Sequence, residues 1–285
     1  MSSLMHIKGR TVVTGKCRQL PPLGAEFVQL SCSLASCACV LFIMSRPKRI
    51  IFVSVLVFAV ALFFAAPYLE FARLWFGVVG IDVSHHQGNI DWQKLAKSDV
   101  RFVYIKATEG GDYVDPQFQK NWEAARKAGL MVGAYHFFTR CKTGQEQAKN
   151  FLGVLPADDD ALPPVLDAEV MEACDGKAAD LDPLKEVQAF MDAVNAKLGC
   201  KPILYVTQDF DLSYLSGNFK DASFWVRSIF MPPLFRRASW TFWQYHDGGR
   251  RPGISGPVDL DVFRGAIADI EDFRKASHCA WKEAT

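Results

Sequence analysis

The feature that most restricts what this chain can fold into is a succession of short apolar runs, rich in β-branched and aromatic residues, each ending in polar ones. They occupy residues 78–83, 102–107, 131–137, 165–168, 203–206, 224–226, 241–244 and 258–262. Runs of this length and composition suit buried parallel strands. Amphipathic segments with legible ends lie between several of them. Asp115 and Pro116 open one that Gly129 closes, and Asp182 and Pro183 open another that Gly199 ends. In the second, Leu184, Val187, Phe190, Met191, Val194 and Leu198 keep to one stripe. Strand alternating with helix implies a parallel sheet, and eight strands suffice to close a barrel. After Gln208 there is little room for long helices. The expectation is therefore an α/β fold, an irregular TIM-like β/α barrel of eight strands with few helices in its second half. Without an internal repeat or a low-complexity linker, residues 73–285 read as one domain.

Polar groups collect where the runs end: Asp82; Lys106 and Glu109; Tyr135 and His136; Asp167 and Glu169; Tyr205 and Thr207; Arg227; Gln244; Asp259 and Asp261. In a β/α barrel that rim carries the active site. The sharpest feature is Pro163-Pro164-Val165-Leu166-Asp167-Ala168-Glu169. Carboxylates at i and i+2 on a strand share a face, close enough for repulsion to raise the pKa of one. Glycoside cleavage uses such a pair, one acid to protonate the leaving oxygen and one carboxylate to support the cationic sugar. Solvated loops and metal sites also contain Asp-x-Glu, and its place after four apolar residues is what favours catalysis here. His85 and His86, as neighbours on a strand, would face opposite ways, and no third ligand has zinc spacing, so neither a metal nor another cofactor is expected.

Half of the residues are hydrophobic and 22% are charged, with a formal net charge of +1. Such a chain can bury a core, and it lacks the basic surplus that nucleic acid demands. The apolar content is uneven. Residues 50–69 carry no formal charge, and a helix of about 20 residues spans roughly the 30 Å hydrocarbon core of a bilayer. Arg46, Lys48 and Arg49 precede the run, so the positive-inside rule keeps the N-terminus in the cytoplasm and exports the C-terminal remainder of the chain. Residues 44–72 are thus expected to be an inner-membrane anchor or a cleaved signal. The product is a domain held in the periplasm, or secreted if cleaved. Residues 1–43 read either as a start site assigned too early or as a short cytoplasmic tail.

Gly80-Ile81-Asp82-Val83-Ser84-His85-His86-Gln87-Gly88 with Ile90-Asp91-Trp92 resembles the opening signature of glycoside hydrolase family 25, the N-acetylmuramidase lysozymes. The likeness continues through 102–110, Gly133-Ala134-Tyr135-His136-Phe137, the Asp167 and Glu169 pair, Ile203-Leu204-Tyr205, Trp243-Gln244-Tyr245 and 258–263. It implies an irregular β/α barrel that cleaves the β-1,4 bond between N-acetylmuramic acid and N-acetylglucosamine in peptidoglycan glycan strands. It further implies an acidic cluster of Asp82, Asp167, Glu169 and Asp259, with Glu169 as proton donor. Asp167 would assist the substrate's acetamido group in a retaining reaction, or act as base in an inverting one. Alternatives are a chitinase-like glycosidase and a non-catalytic barrel that binds peptidoglycan.

Two positions depart from the family pattern. Asp261 stands where Asn is frequent, and alternation puts it on the face of Asp259, at the expected edge of the site. Arg227 follows Trp225-Val226 where a small residue is usual; it reads equally as a groove residue for a substrate carboxylate and as an ion-pair partner of the aspartates. Tyr135, Tyr205, Trp225, Arg227, Gln244 and Asp261 are the candidate substrate-binding residues, the aromatic ones either stacking on sugar faces or belonging to the core. Lys106 and Glu109 are expected to form a structural ion pair. In an oxidising compartment Cys141 and Cys174 are expected to form a disulfide, with Cys200 and Cys279 as alternative partners. A monomer is expected.

Overall fold

The computed structural model describes residues 46–65, 77–170, 181–215, 217–229, 231–236, 240–277 and 279. The chain falls into two units that part between Phe58 and Ala59. In the first lies most of helix α1 (Arg46–Ala65), whose apolar side chains from Ile50 to Val60 are exposed. Among the described residues no helix is long and apolar enough to cross a membrane. The expected span at 50–69 outruns α1, because residues 66–69 lie outside the described set.

The second unit is a barrel. Its strands are β1 (Gly77–Val83), β2 (Phe102–Glu109), β3 (Tyr113–Val114), β4 (Met131–Phe137), β5 (Val165–Ala168), β6 (Ile203–Thr207), β7 (Phe224–Arg227), β8 (Trp240–Gly249) and β9 (Val258–Arg264). Hydrogen bonding runs in the order β1-β9-β8-β7-β6-β5-β4-β2 and closes through β1 pairing with β2, while the two-residue β3 hangs on β2. All eight expected runs are barrel strands. One departs from the expected parallel sheet: β9 is antiparallel to both β1 and β8. No helix connects β8 to β9, so the chain returns as a hairpin and the closing strand runs backwards.

Period-2 alternation divides the strand side chains into two sets. Phe102, Tyr104, Val165, Ile203, Trp225, Phe242 and Phe263 fill the barrel, where Tyr104 and Trp225 have ring centroids 5.0 Å apart and Phe102 and Phe242 5.4 Å apart. A Cβ at Gly80 would stand 2.1 Å from the Phe102 ring, so only glycine fits that wall. The other set packs under α2 (Trp92–Ala96), α3 (Phe118–Lys127), α4 (Gly144–Leu152) and α5 (Pro183–Leu198). Helix α5 starts and stops as expected: Asp182 accepts from the Leu184 amide, Pro183 opens the first turn, and Gly199 ends it at φ 73°. Helix α3 stops as expected, before Gly129 at φ 84°, but begins later than expected: Asp115 Oδ1 accepts from the Gln117 amide at 2.9 Å while its Oδ2 takes the His85 amide, and the helix proper starts only at Phe118. Helix α4 begins with a Thr143/Glu146 capping box. After Gln208 the only helix longer than five residues among those described is α6 (Ile267–Ser277), which packs Ile270 and Phe273 against the filling of the barrel.

Cys200 and Cys279 form a disulfide, so neither is available to Cys141. Cys141 is disulfide-bonded too, and Cys174, its expected partner, lies outside the described residues.

Candidate active site

The strand ends surround an open cleft of about 430 Å³. Its lining includes Asp82 from β1, Asp167 and Glu169 from and just beyond β5, and Asp259 from β9, together with Tyr135, Tyr205, Trp225, Arg227 and Gln244. Strand register brings the acids together: Asp82 lies opposite Asp259, and Asp167 sits level with Tyr205 on the adjoining strand. Because β9 runs backwards, Asp259 at its start is at the mouth and Asp261 two residues on is deeper. Asp261 is fully buried and does not line the cleft, which corrects its expected place at the site's edge as a substrate-binding residue.

A hydrogen-bonded chain supports Asp82. The Gln244 amide Nε2 donates to Asp82 Oδ2 at 2.9 Å, and the Tyr205 hydroxyl donates to Gln244 Oε1 at 2.9 Å. Trp225 Nε1 donates to Asp261 Oδ1 at 3.1 Å. Tyr205, Trp225 and Gln244 are all buried, so they form the floor, with their polar atoms committed to these bonds.

Burial and neighbouring negative charge make a carboxyl harder to ionise. Burial, then the neighbouring Asp259, hold the Asp82 carboxyl well above the usual range, against the favourable bond from Gln244. Burial, then Glu169 and Asp82, do the same to Asp167, with the Lys106 ammonium opposing. Asp259, nearer solvent, is raised to about 6 by burial and by Asp247, with Arg227 opposing. The hydroxyls of Tyr135 and Tyr205 are pushed upward by burial and then by these carboxylates.

Arg227 lines the cleft and pairs with Asp247 at 2.8 Å rather than with Asp259 or Asp261. Asp247 is a cleft residue that sequence reasoning missed, because the apolar pattern of β8 stops before the strand does. Lys106 pairs with Glu109 at 2.6 Å as expected, and it also lies over the Phe137 ring at 4.6 Å and borders the cleft.

His85 and His86 occupy a 3-10 turn capped by Ser84 and Gln87, and not a strand. His85 Nδ1 lies 2.9 Å from Asp115 Oδ2, while His86 reaches the cleft. His136 is enclosed between Thr108 Oγ1 at 2.7 Å and Gln147 Oε1 at 3.1 Å, and burial lowers its pKa to about 4. It is a neutral core residue. Among the described residues no three His, Cys, Asp or Glu side chains are grouped to hold a metal ion.

Residues 81–254 match the family model of glycosyl hydrolases family 25. The chain belongs to that family. It is a glycoside hydrolase, in keeping with acids at the mouth of an eight-stranded barrel. It is 38% identical over 200 residues to the protein YegX of Escherichia coli O6:H1, covering 68% of this chain and 72% of that one. To Lysozyme M1 of Streptomyces globisporus it is 34% identical over 213 residues, covering 68% and 70% of the two chains. Among solved structures, a family 25 glycosyl hydrolase from Bacillus anthracis superposes with a TM-score of 0.64 at 36% identity, covering 70% of this chain and 94% of the other.

Proposed function

We propose that this glycoside hydrolase is a muramidase, cleaving the β-1,4 bond between N-acetylmuramic acid and N-acetylglucosamine in peptidoglycan. The observation that carries the reading is the convergence of Asp82, Asp167, Glu169 and Asp259 on one open cleft. A binding site for a mostly neutral glycan gains nothing from four mutually repelling carboxyls, whereas a cationic transition state does. The similarity to Lysozyme M1 favours the wall polymer as substrate.

In this mechanism Glu169 gives its proton to the glycosidic oxygen as the bond from that oxygen to C1 breaks. The carbonyl oxygen of the substrate's own acetamido group forms the new bond to C1, replacing an enzyme nucleophile. Asp167 accepts the acetamido N–H. Its Oδ1 is enclosed without a hydrogen-bond partner, and its heightened proton affinity makes it a strong acceptor. Glu169, now a carboxylate, takes a proton from the water that attacks C1 and opens the ring. Two inversions at C1 give net retention. Asp82 and Asp259 supply negative potential to the oxocarbenium-like centre, and Arg227, half-exposed in the cleft lining beside its partner Asp247, would pair with a substrate carboxylate.

The N-terminal segment supports action outside the cytoplasm. The uncharged run at 50–69, the exposed apolar side chains from Ile50 to Val60 and the basic residues before it fit an anchor or an export signal. The test of the activity is digestion of purified peptidoglycan followed by borohydride reduction and identification of the sugar alcohol. Muramitol at the new ends is expected. Glucosaminitol, or no new ends, would overturn the proposal.

A further inference from the structure

Beneath the cleft lies a carboxyl that the proposed mechanism does not use. Asp261 has no exposure to solvent. Its Oδ1 accepts from the Trp225 indole, and its Oδ2 receives no hydrogen bond from any N–H or hydroxyl. Across the β1–β9 pair, where Asp82 is opposite Asp259 and Gly80 opposite Asp261, the Asp261 carboxyl shares a face with Asp82, and the two acids act on one another's ionisation. A bond between two carboxyl groups requires a proton on one of them. Asp82 is partly open to the cleft and already accepts a full amide donor from Gln244, which favours its charged form. Asp261 is enclosed by Asp82 of β1, Tyr104 of β2, Trp225 of β7, Gln244 of β8 and Asp259 of β9, none of them a cation. An ionised carboxylate there would be buried beside two others without a counterion.

We infer that Asp261 is a positioning residue, a neutral carboxylic acid that donates its proton in a hydrogen bond to Asp82 and so fixes Asp82 as an oriented carboxylate beneath the cleft. With Gln244 it forms a two-point clamp: an amide donor on Oδ2 from one side and an acid donor from below. The tilt of Asp82, and with it the direction of its negative potential toward the sugar, is set from inside the barrel, by a group that never touches substrate. An amide at this position reproduces the arrangement, because Asn accepts from Trp225 through its oxygen and donates to Asp82 through its nitrogen.

The inference rests on the cleft being the catalytic site, but its first test does not. Difference infrared spectra of wild type minus Asp261→Asn, recorded at neutral pH with isotope-labelled aspartate, should show the C=O stretch of a protonated carboxylic acid that the variant lacks. A carboxylate band in its place would overturn the proposal even in a protein with no measured activity. The second test is kinetic. Asp261→Ala should lower kcat about 10²-fold, the scale of a misplacement near 1 Å, with KM little changed, and Asp261→Asn should restore most of that loss. At alkaline pH, where Asp261 ionises and the clamp opens, the rate should fall, and the Asn variant should keep its rate to higher pH. An Ala variant as active as the Asn variant, or the same alkaline limb in the Asn variant and wild type, would overturn the positioning role.

Discussion

Replacing Asp259 with Asn should stabilise the protein while impairing it. The pKa of Asp259 stands at about 6, against 3.8 for an ordinary aspartate, through burial and repulsion from Asp247. At 1.36 kcal/mol per pKa unit, the charged carboxylate costs the native state about 3 kcal/mol, or roughly 2 to 3 kcal/mol allowing for screening at the cleft mouth. The native state binds more protons than the unfolded one between pH 3.8 and about 6. The stabilisation from its raised proton affinity is therefore complete at low pH and lost as pH rises through about 6. The Asp259→Asn side chain is uncharged and escapes the loss. For a domain of this size that corresponds to a melting temperature higher by roughly 4 to 12 °C at pH 7.5, shrinking toward zero near pH 3.5. Urea denaturation and thermal melts of both proteins at pH 7.5, 5 and 3.5 provide the assay. A gain independent of pH, or an Asn variant less stable than wild type at pH 7.5, would refute the claim that the cleft holds a strained charge. Loss of activity alongside the gain is the expected trade between function and stability.

Other parts of the structure set three further outcomes. The pKa of His136 is lowered to about 4 in the native state, so wild type should lose stability as pH falls from about 6.5 to 4. Relative to wild type, His136→Gln should therefore gain about 3 kcal/mol across that window, read by urea denaturation at its two ends. The Cys200–Cys279 disulfide closes a separation of 79 residues, and replacing both cysteines with serine should lower the unfolding free energy by about 2 to 4 kcal/mol in urea denaturation; an unchanged value would refute that contribution. Full-length protein should fractionate with membranes, or carry a mature N-terminus just after the apolar run if processed; full-length protein soluble in the cytosol would refute export.

The sequence was most informative where chemistry and period coincide. Asp82, Asp167 and Glu169 end or follow apolar runs while Asp259 lies at the start of one, and the barrel brings all four to one cleft. What alternation cannot encode is direction. Asp259 and Asp261 share a face whichever way their strand runs, and only the reversed β9 decides that Asp261 is floor and not rim. Asp247 escaped notice for a related reason: β8 continues past Tyr245 into exposed, polar residues where no periodicity marks a strand. Asp115 precedes Pro116 as a cap would, and its carboxylate serves two ends, Oδ1 accepting from the Gln117 amide and Oδ2 meeting His85, a tertiary contact that no local pattern announces. The Thr143-x-x-Glu146 box that opens α4 was a readable signal.

The most direct test of the catalytic assignment is the rate at which wild type and Glu169→Gln release muramic acid reducing ends from the same purified peptidoglycan, with folding matched by circular dichroism and glycan binding measured in parallel. Removing the general acid should lower the rate by about 10²- to 10⁴-fold while leaving glycan binding largely intact. Turnover near that of wild type in the Gln variant would contradict the assignment of Glu169 as the proton donor.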